Sequence, residues 1–122
     1  MYKKNGHIEL ISIASINFVD NGQSLQMQII DCDPPYLEHI ITFKNTFVIN
    51  FFQGNHSGFP IIIIDLTWRE VPQNEKYQIF LSHKYPIFDE FKNPIPLDRR
   101  LFEVHFEGSI VVDVLAEDVV IE

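Results

Sequence analysis

Residues 16–29 read INFVDNGQSLQMQI, and they carry the clearest local signal in the chain. Asn21 and Gly22 both tolerate the positive φ angles of a type I′ turn, so an Asn-Gly pair between two alternating segments predicts a β-hairpin. After the turn, glutamines alternate with the apolar residues Leu25, Met27 and Ile29. A period of two places these apolar side chains on one face of a strand, which no helix would do. We therefore expect a hairpin with one face in the core and the other in water.

Alternation returns in two later segments. Residues 38–54, EHIITFKNTFVINFFQG, predict one long strand kinked near Asn45, or two short strands. Residues 101–122, LFEVHFEGSIVVDVLAEDVVIE, alternate apolar and polar side chains around Gly108 and Ser109. Glycine and serine are typical of turns, so this segment predicts strands before and after that point.

Residues 60–71, PIIIIDLTWREV, begin with a continuous apolar run, which is typical of a strand covered on both faces. We expect this strand to be central in the sheet. Trp68 has the same parity as Ile62, Ile64 and Leu66, so its indole is expected to pack in the core.

Residues 72–100 differ in character, because prolines interrupt them and no clean period is present. We interpret them as an irregular, proline-rich insertion with one short strand or helical turn at residues 77–82. Aromatic side chains of this insertion are expected to shield one edge of the sheet: Tyr77, Phe80, Tyr85, Phe88 and Phe91.

The composition agrees with one β-rich domain. The chain has 122 residues, enough for a single core, and hydrophobic residues make up 46% of it. Ile, Val and Phe are abundant, and β-branched and aromatic side chains favour strands. We expect a single domain over residues 1–122 that is mainly β: an antiparallel β-sandwich or a strongly curved sheet of about six to nine strands, with little helix.

The charge is strongly asymmetric. The formal net charge is −8, and residues 101–122 contain six acidic residues but no lysine or arginine. Such a field repels nucleic acid and anionic lipid and steers a basic partner towards it, unless the acids only keep a solvated face polar. The single cysteine, Cys32, cannot form an internal disulfide, and no apolar run approaches the roughly 20 residues of a membrane span. We therefore expect a cytoplasmic protein without a nucleic-acid or membrane partner.

Residues with catalytic or metal-binding chemistry form no recognisable pattern. Asp31 and Asp33 flank Cys32 in the stretch QIIDCDPPY, where a turn explains them better than a cation site. The five histidines lack the spacing of zinc ligands, and His83 and His105 are expected at surface or edge positions. We predict no catalytic residue, no metal site and no cofactor, and therefore a protein that is not an enzyme.

Three segments carry a resemblance to a known family: GHIELISIASINFVDNGQSLQMQIID, ITFKNTFVINFF and FEVHFEGSIVVDVLAEDVVIE. Their order resembles small β-rich immunity proteins encoded beside bacterial polymorphic toxins. In those proteins an N-terminal strand with a histidine, a polar hairpin, a strand with a Thr-Phe-x-x-x-x-Phe pattern and a C-terminal His-Phe-x-Gly-x-Ile pair recur. Residues 72–100 have no counterpart in this resemblance.

The resemblance implies a cytoplasmic protein without catalytic activity that binds and neutralises a cognate toxin. An acidic immunity protein suits a basic toxin, because complementary charge speeds association. The candidate partner-binding residues are then acids of the C-terminal segment and two aromatic anchors: Glu103, Glu107, Asp113, Glu117, Asp118, Tyr85 and Phe88.

Two alternatives remain open at this point. A β-sandwich that binds a small ligand or carbohydrate would use Trp68 or exposed aromatic side chains of residues 77–91, and a buried Trp68 would count against it. The hydrophobic strand FVINFF, residues 47–52, is able to pair with a copy of itself, so a homodimer is also compatible with the sequence.

Overall fold

The computed structural model describes residues 5–52, 61–85 and 95–122 and has a mainly β fold. Across these residues six antiparallel strands form one sheet that closes into a barrel, in the order β1-β2-β3-β6-β5-β4. The strongly curved sheet, not the sandwich, is therefore the alternative that the structure adopts. The strands are β1 (Asn5–Val19), β2 (Ser24–Asp31), β3 (Glu38–Phe52), β4 (Ile61–Glu70), β5 (Phe102–Gly108) and β6 (Val111–Ile121).

A short helical segment interrupts the strands between β4 and β5. The 3-10 turn Gln73–Glu75 leads directly into the α-helix α1 (Lys76–Ser82). The helical turn predicted at residues 77–82 is therefore present, and the strand alternative for those residues is wrong. Within the described ranges, neither helical segment is long and apolar enough to cross a membrane.

The β1–β2 hairpin confirms the prediction from residues 16–29, with a shift in its turn. Val19 pairs with Ser24 across the loop. Asp20 and Asn21 have φ angles of 53° and 57°, and the Gly22 N–H donates to the Val19 carbonyl. This is the type I′ arrangement, one residue earlier than the Asn-Gly pair predicts. Aspartate and asparagine accept left-handed backbone more readily than most residues with a side chain, which permits the shift.

Alternating apolar side chains fill the interior of the barrel. The edge-to-face pair of Phe43 and Phe106, with ring centroids 5.8 Å apart, joins β3 to β5 across the core. A barrel of so few strands is narrow enough for side chains alone to pack its interior. The inward residues of β2 and β5 are those that the spacing predicted: Leu25, Met27, Ile29, Phe102, Val104 and Phe106.

Trp68 lies in this core, as predicted, with only 5% of its surface exposed. Its strand neighbour is Gly6 of β1, and a Cβ atom at Gly6 would lie 1.9 Å from the indole Cζ2. The glycine therefore leaves the space that the indole fills. Because Trp68 is buried, it cannot act as an exposed stacking platform for a carbohydrate.

β4 differs from its prediction as a central strand covered on both faces. Ile61 and Ile63 are buried, whereas Ile62 and Ile64 are 38% and 58% exposed. Each strand of a closed barrel has two neighbours, so none is central, and the outer face of β4 remains open. The pairing with β5 is irregular just after Ile63, which shifts the alternation, so Trp68 enters the core although Ile64 does not.

β3 is a single strand with an irregularity where the sequence predicts a kink. Asn45 has a φ angle of 50°, and the pairing with β6 skips a residue between Thr46 and Val48. Phe43 lies inside the barrel, while Phe47 packs outside it. The FVINFF segment, residues 47–52, pairs with β6 within the barrel.

A second apolar cluster lies on the outer surface of β3 and β6. Phe80 of α1 is fully buried there with Leu115 of β6, and Phe47 and Tyr85 pack against it edge to face. The insertion therefore covers a face of the barrel and not a sheet edge. Tyr77 is 50% exposed, so its predicted shielding role is wrong. Phe88 and Phe91 lie outside the described residues.

Gly108 gives a test of the close approach between β4 and β5. A Cβ atom at this position would lie 2.4 Å from the Ile62 carbonyl oxygen and 2.7 Å from the Ile63 Cα. Backbone atoms cannot move aside as a flexible side chain can, so Gly108→Ala is expected to lower the free energy of unfolding by about 1–3 kcal/mol. Urea denaturation measures this loss. The exposed strand residue Asn17 provides the control, and equal stabilities of Gly108→Ala and Asn17→Ala would contradict the close approach.

Candidate functional site

The strand register assembles three carboxylates on the outside of the barrel. Glu9 of β1 pairs with Asp65 of β4, and Asp65 pairs with Glu107 of β5. Residues directly opposite one another in neighbouring strands have adjacent side chains on the same face. These side chains are 72%, 44% and 64% exposed, respectively. We call Glu9, Asp65 and Glu107 the carboxylate row.

Two further rows of polar residues run parallel to the carboxylate row. In the first, the successive neighbours are His7, Thr67, His105 and Asp113. In the second, Arg69 pairs with Glu103. The three rows thus hold five carboxylates and one guanidinium, so the outer face of β1, β4, β5 and β6 is negative at these positions when the histidines are neutral.

His7 meets the carboxylate row at its β1 end. Its Nε2 atom lies 2.8 Å from Asp65 Oδ1 and 3.8 Å from Glu9 Oε1. Imidazole and carboxylate are ligand types for Zn²⁺, and the ligand atoms of these three residues all lie within 4.8 Å of one another. The hydrogen bond between His7 and Asp65 is sufficient to explain their approach, and the group is solvent-exposed.

A cleft of about 360 Å³ opens beside these rows. It lies between the C-terminal end of α1 and the outer faces of β4, β5 and β6. Its lining includes histidine, carboxylate and guanidinium groups: Thr67, Trp68, Arg69, His83, Glu103, His105 and Asp113.

The Glu103 carboxylate in the cleft bonds to two basic side chains. His83 Nε2 lies 2.7 Å from its Oε2 atom, and Arg69 Nε donates to its Oε1 atom at 2.9 Å. The hydrogen bond from His83 holds the pKa of Glu103 below its usual value, with Arg69 adding to the effect and burial opposing it. The His83 carbonyl also accepts a hydrogen bond from Asn50 Nδ2 at 3.0 Å. Through His83, these hydrogen bonds connect the C-terminal end of α1 to β3 and β5 of the barrel.

The second histidine of the cleft is paired in a similar way. His105 Nδ1 lies 2.5 Å from Asp113 Oδ1, and His105 Nε2 lies 3.8 Å from Glu107. A carboxylate at Nδ1 fixes the orientation of an imidazole and leaves Nε2 facing outwards. The sequence places His83 and His105 at surface or edge positions. In the structure His83 is buried, 8% exposed, and the two histidines line one cleft.

The remaining candidate residues from the sequence lie apart from this cleft. Arg99 binds the Glu117 carboxylate through two nitrogens, and this hydrogen bonding lowers the pKa of Glu117. Asp118 Oδ2 lies 3.9 Å from Arg100. Tyr85 is half-buried in the outer cluster with Phe80. Phe88 lies outside the described residues.

The acids predicted from the C-terminal segment therefore fall into two groups. Glu103, Glu107 and Asp113 lie on the polar face, while Glu117 and Asp118 face the arginines that precede β5. The sequence gives no reason to combine Glu107 with Glu9 or Asp65, because only the β1–β4–β5 register brings them together. The sequence shows only that each of these residues lies on the polar face of its own strand, from the alternation of polar and apolar side chains.

Comparison with known proteins shows the fold but no family. Neither a protein-family model nor a curated protein matches the sequence. The chain is similar to the crystal structure of an uncharacterized protein from Neisseria gonorrhoeae, with a TM-score of 0.61 and 16% sequence identity over 97% of this chain and 96% of that chain. At this identity the likeness concerns the fold alone.

The bonds of Glu103 predict an acid-dependent loss of stability. A carboxylate whose pKa is lowered on folding stabilises the protein above its unfolded pKa, which is about 4.3 for glutamate, and this contribution is lost as the pH falls through the folded pKa. Glu103→Gln is expected to lower the free energy of unfolding by about 1 kcal/mol at neutral pH, since solvent screens this partly exposed group. Urea denaturation between pH 7 and pH 3 measures the free energy of unfolding of both proteins. The difference between Glu103→Gln and wild type should shrink below about pH 4.3.

The exposed Glu107 supplies the control for this experiment. Its side chain is 64% exposed and has its nearest histidine nitrogen at 3.8 Å. Glu107→Gln should leave neutral-pH stability nearly unchanged, as is usual for surface substitutions. A Glu103→Gln deficit that stays constant from pH 7 to pH 3 would show that the charge of Glu103 is not the stabilising feature.

Proposed function

We propose that this protein is a non-catalytic binding module for a basic protein, acting as an immunity or inhibitor protein acts on its cognate toxin. The observation that carries the proposal is the carboxylate row, in which Glu9, Asp65 and Glu107 stand side by side and exposed on three adjacent strands. Clustered charge of one sign raises the rate of encounter with a partner of the opposite sign.

The division between solvated and bonded acids supports this choice of residues. Glu103 and Glu117 have arginine or histidine partners within the chain, so a lysine or arginine from outside would have to compete with them. The side chains of Glu9 and Glu107 are more than half exposed, with histidine nitrogens no closer than 3.8 Å. Of the acids predicted from the sequence, Glu107 is therefore the best placed for a partner, and Glu103 and Asp113 border it.

The resemblance to immunity proteins agrees with this proposal, and so does the overall net charge of −8. We propose cytoplasmic residence for the same reason, since a toxin made in the cell must be neutralised there. The burial of Trp68 counts against a carbohydrate-binding platform built on that residue.

The proposal is tested with the product of the gene adjacent to this one. The two purified proteins should form a complex on size-exclusion chromatography, and co-expression should rescue cells from growth arrest caused by that product. No complex and no rescue would overturn the proposed function.

Charge reversal in the carboxylate row gives a quantitative form of this test. Glu107→Lys is expected to lower the association rate constant about five- to tenfold at low salt, with a smaller effect at high salt, because steering depends on unscreened charge. Biolayer interferometry against the immobilised partner measures the rate. Glu38 is an exposed residue of β3, which lies across the barrel from β4. Glu38→Lys makes the same charge change there and should leave the association rate constant much closer to that of wild type. Equal slowing by both variants would point to net charge and not to the row.

A further inference from the structure

An exposed apolar patch lies directly beside the carboxylate row. Ile62 and Ile64 of β4 are 38% and 58% exposed, and Leu10 of β1 is 40% exposed. In the β1–β4 register, Leu10 and Ile64 fall between the pairs Glu9–Asp65 and Ile11–Ile63, so they are neighbours. Ile62 lies two residues before Ile64 on β4, opposite Ser12 of β1. We call Leu10, Ile62 and Ile64 the apolar patch.

The backbone is distorted where the patch meets the row. Leu10 has a φ angle of 52°, a left-handed conformation that is unfavourable by about 1–2 kcal/mol for a residue with a side chain. On the neighbouring strand, the pairing of β4 with β5 shifts between Ile63 and Asp65. As a result, Ile64 and Asp65 are consecutive residues that both reach the solvent. The distortion thus joins an apolar surface to a charged one.

We propose that the basic partner anchors apolar side chains on Leu10, Ile62 and Ile64 while its lysines and arginines face Glu9, Asp65 and Glu107. This inference rests on the proposed function and specifies how the partner binds. Protein interfaces commonly combine an apolar centre with a polar rim, and burial of apolar anchors there slows dissociation. The patch then sets the lifetime of the complex, and the row sets its rate of formation.

Charge favours a basic protein over the other occupants of this surface. A second copy of this chain would bind through a two-fold interface, which presents the same surface from both sides. That arrangement would bring the two carboxylate rows close together, and like charges across an interface oppose association. Anionic lipid and nucleic acid would meet the same repulsion.

A substitution at Ile64 tests the inference with a matched control. Ile40 is 40% exposed and lies on β3, across the barrel from β4, so Ile64→Asn and Ile40→Asn each remove an exposed isoleucine side chain without adding charge. With the product of the adjacent gene as the probe, Ile64→Asn is expected to raise the dissociation constant at least about tenfold, mainly through faster dissociation. The dissociation constant of Ile40→Asn should stay within about twofold of wild type. Urea denaturation confirms that each variant is folded.

The outcomes separate this inference from the proposed function. If wild type binds the probe with a salt-dependent rate but Ile64→Asn dissociates no faster than Ile40→Asn, the anchoring role of the patch is wrong and the binding function stands. If wild type does not bind the probe, the proposed function fails together with the inference. If Ile64→Asn instead converts a dimer of this chain into a monomer, as measured by light scattering, a second copy occupies the patch and the inference is overturned.

Discussion

The pairing of β1 with β4 is the interaction on which the rest of the structure depends, because it closes the barrel. It extends from Asn5–Arg69 to Ile13–Ile61 along an unshifted register. Near the Asn5–Arg69 end of this pairing, the indole of Trp68 occupies the space above Gly6, where any side chain would collide with the ring. Closure removes the free edges that an open sheet would expose, and it also sets which polar residues of the two strands become neighbours.

The same pairing creates the proposed partner-binding surface. Glu9 is brought beside Asp65, and Leu10 beside Ile64, by a register that the core side chains specify. A slip of one residue would turn the inward residues of β1 out of the core, so packing in the interior fixes the arrangement of charges on the exterior. The proposed binding surface and the barrel core are therefore two faces of one strand pair.

The acidic residues of this protein include carboxylates bonded within the chain and carboxylates that are solvated. Glu103 and Glu117 are bonded to basic side chains of the chain itself, and their lowered pKa values follow from those bonds. Glu103 also links α1 to the barrel through His83, which helps to keep the helix over its apolar cluster. Net charge alone does not separate such structural carboxylates from solvated ones, because the difference lies in which partners the fold brings within hydrogen-bonding distance.

Local patterns in the sequence were sufficient for the β class, the hairpin, an irregularity near Asn45 and the inward residues of β2 and β5, but they left residues 77–82 open between a strand and a helical turn. These features depend on neighbours a few residues away, through the alternation of side chains and the φ angles that Asp20, Asn21 and Asn45 tolerate. Barrel closure, the open outer face of β4, the His83–Glu103 bond and the carboxylate row required the tertiary structure. These features depend on residues far apart in the chain, such as Glu9 and Asp65. Strand order and register decide which of them become neighbours, and alternation within one strand specifies neither.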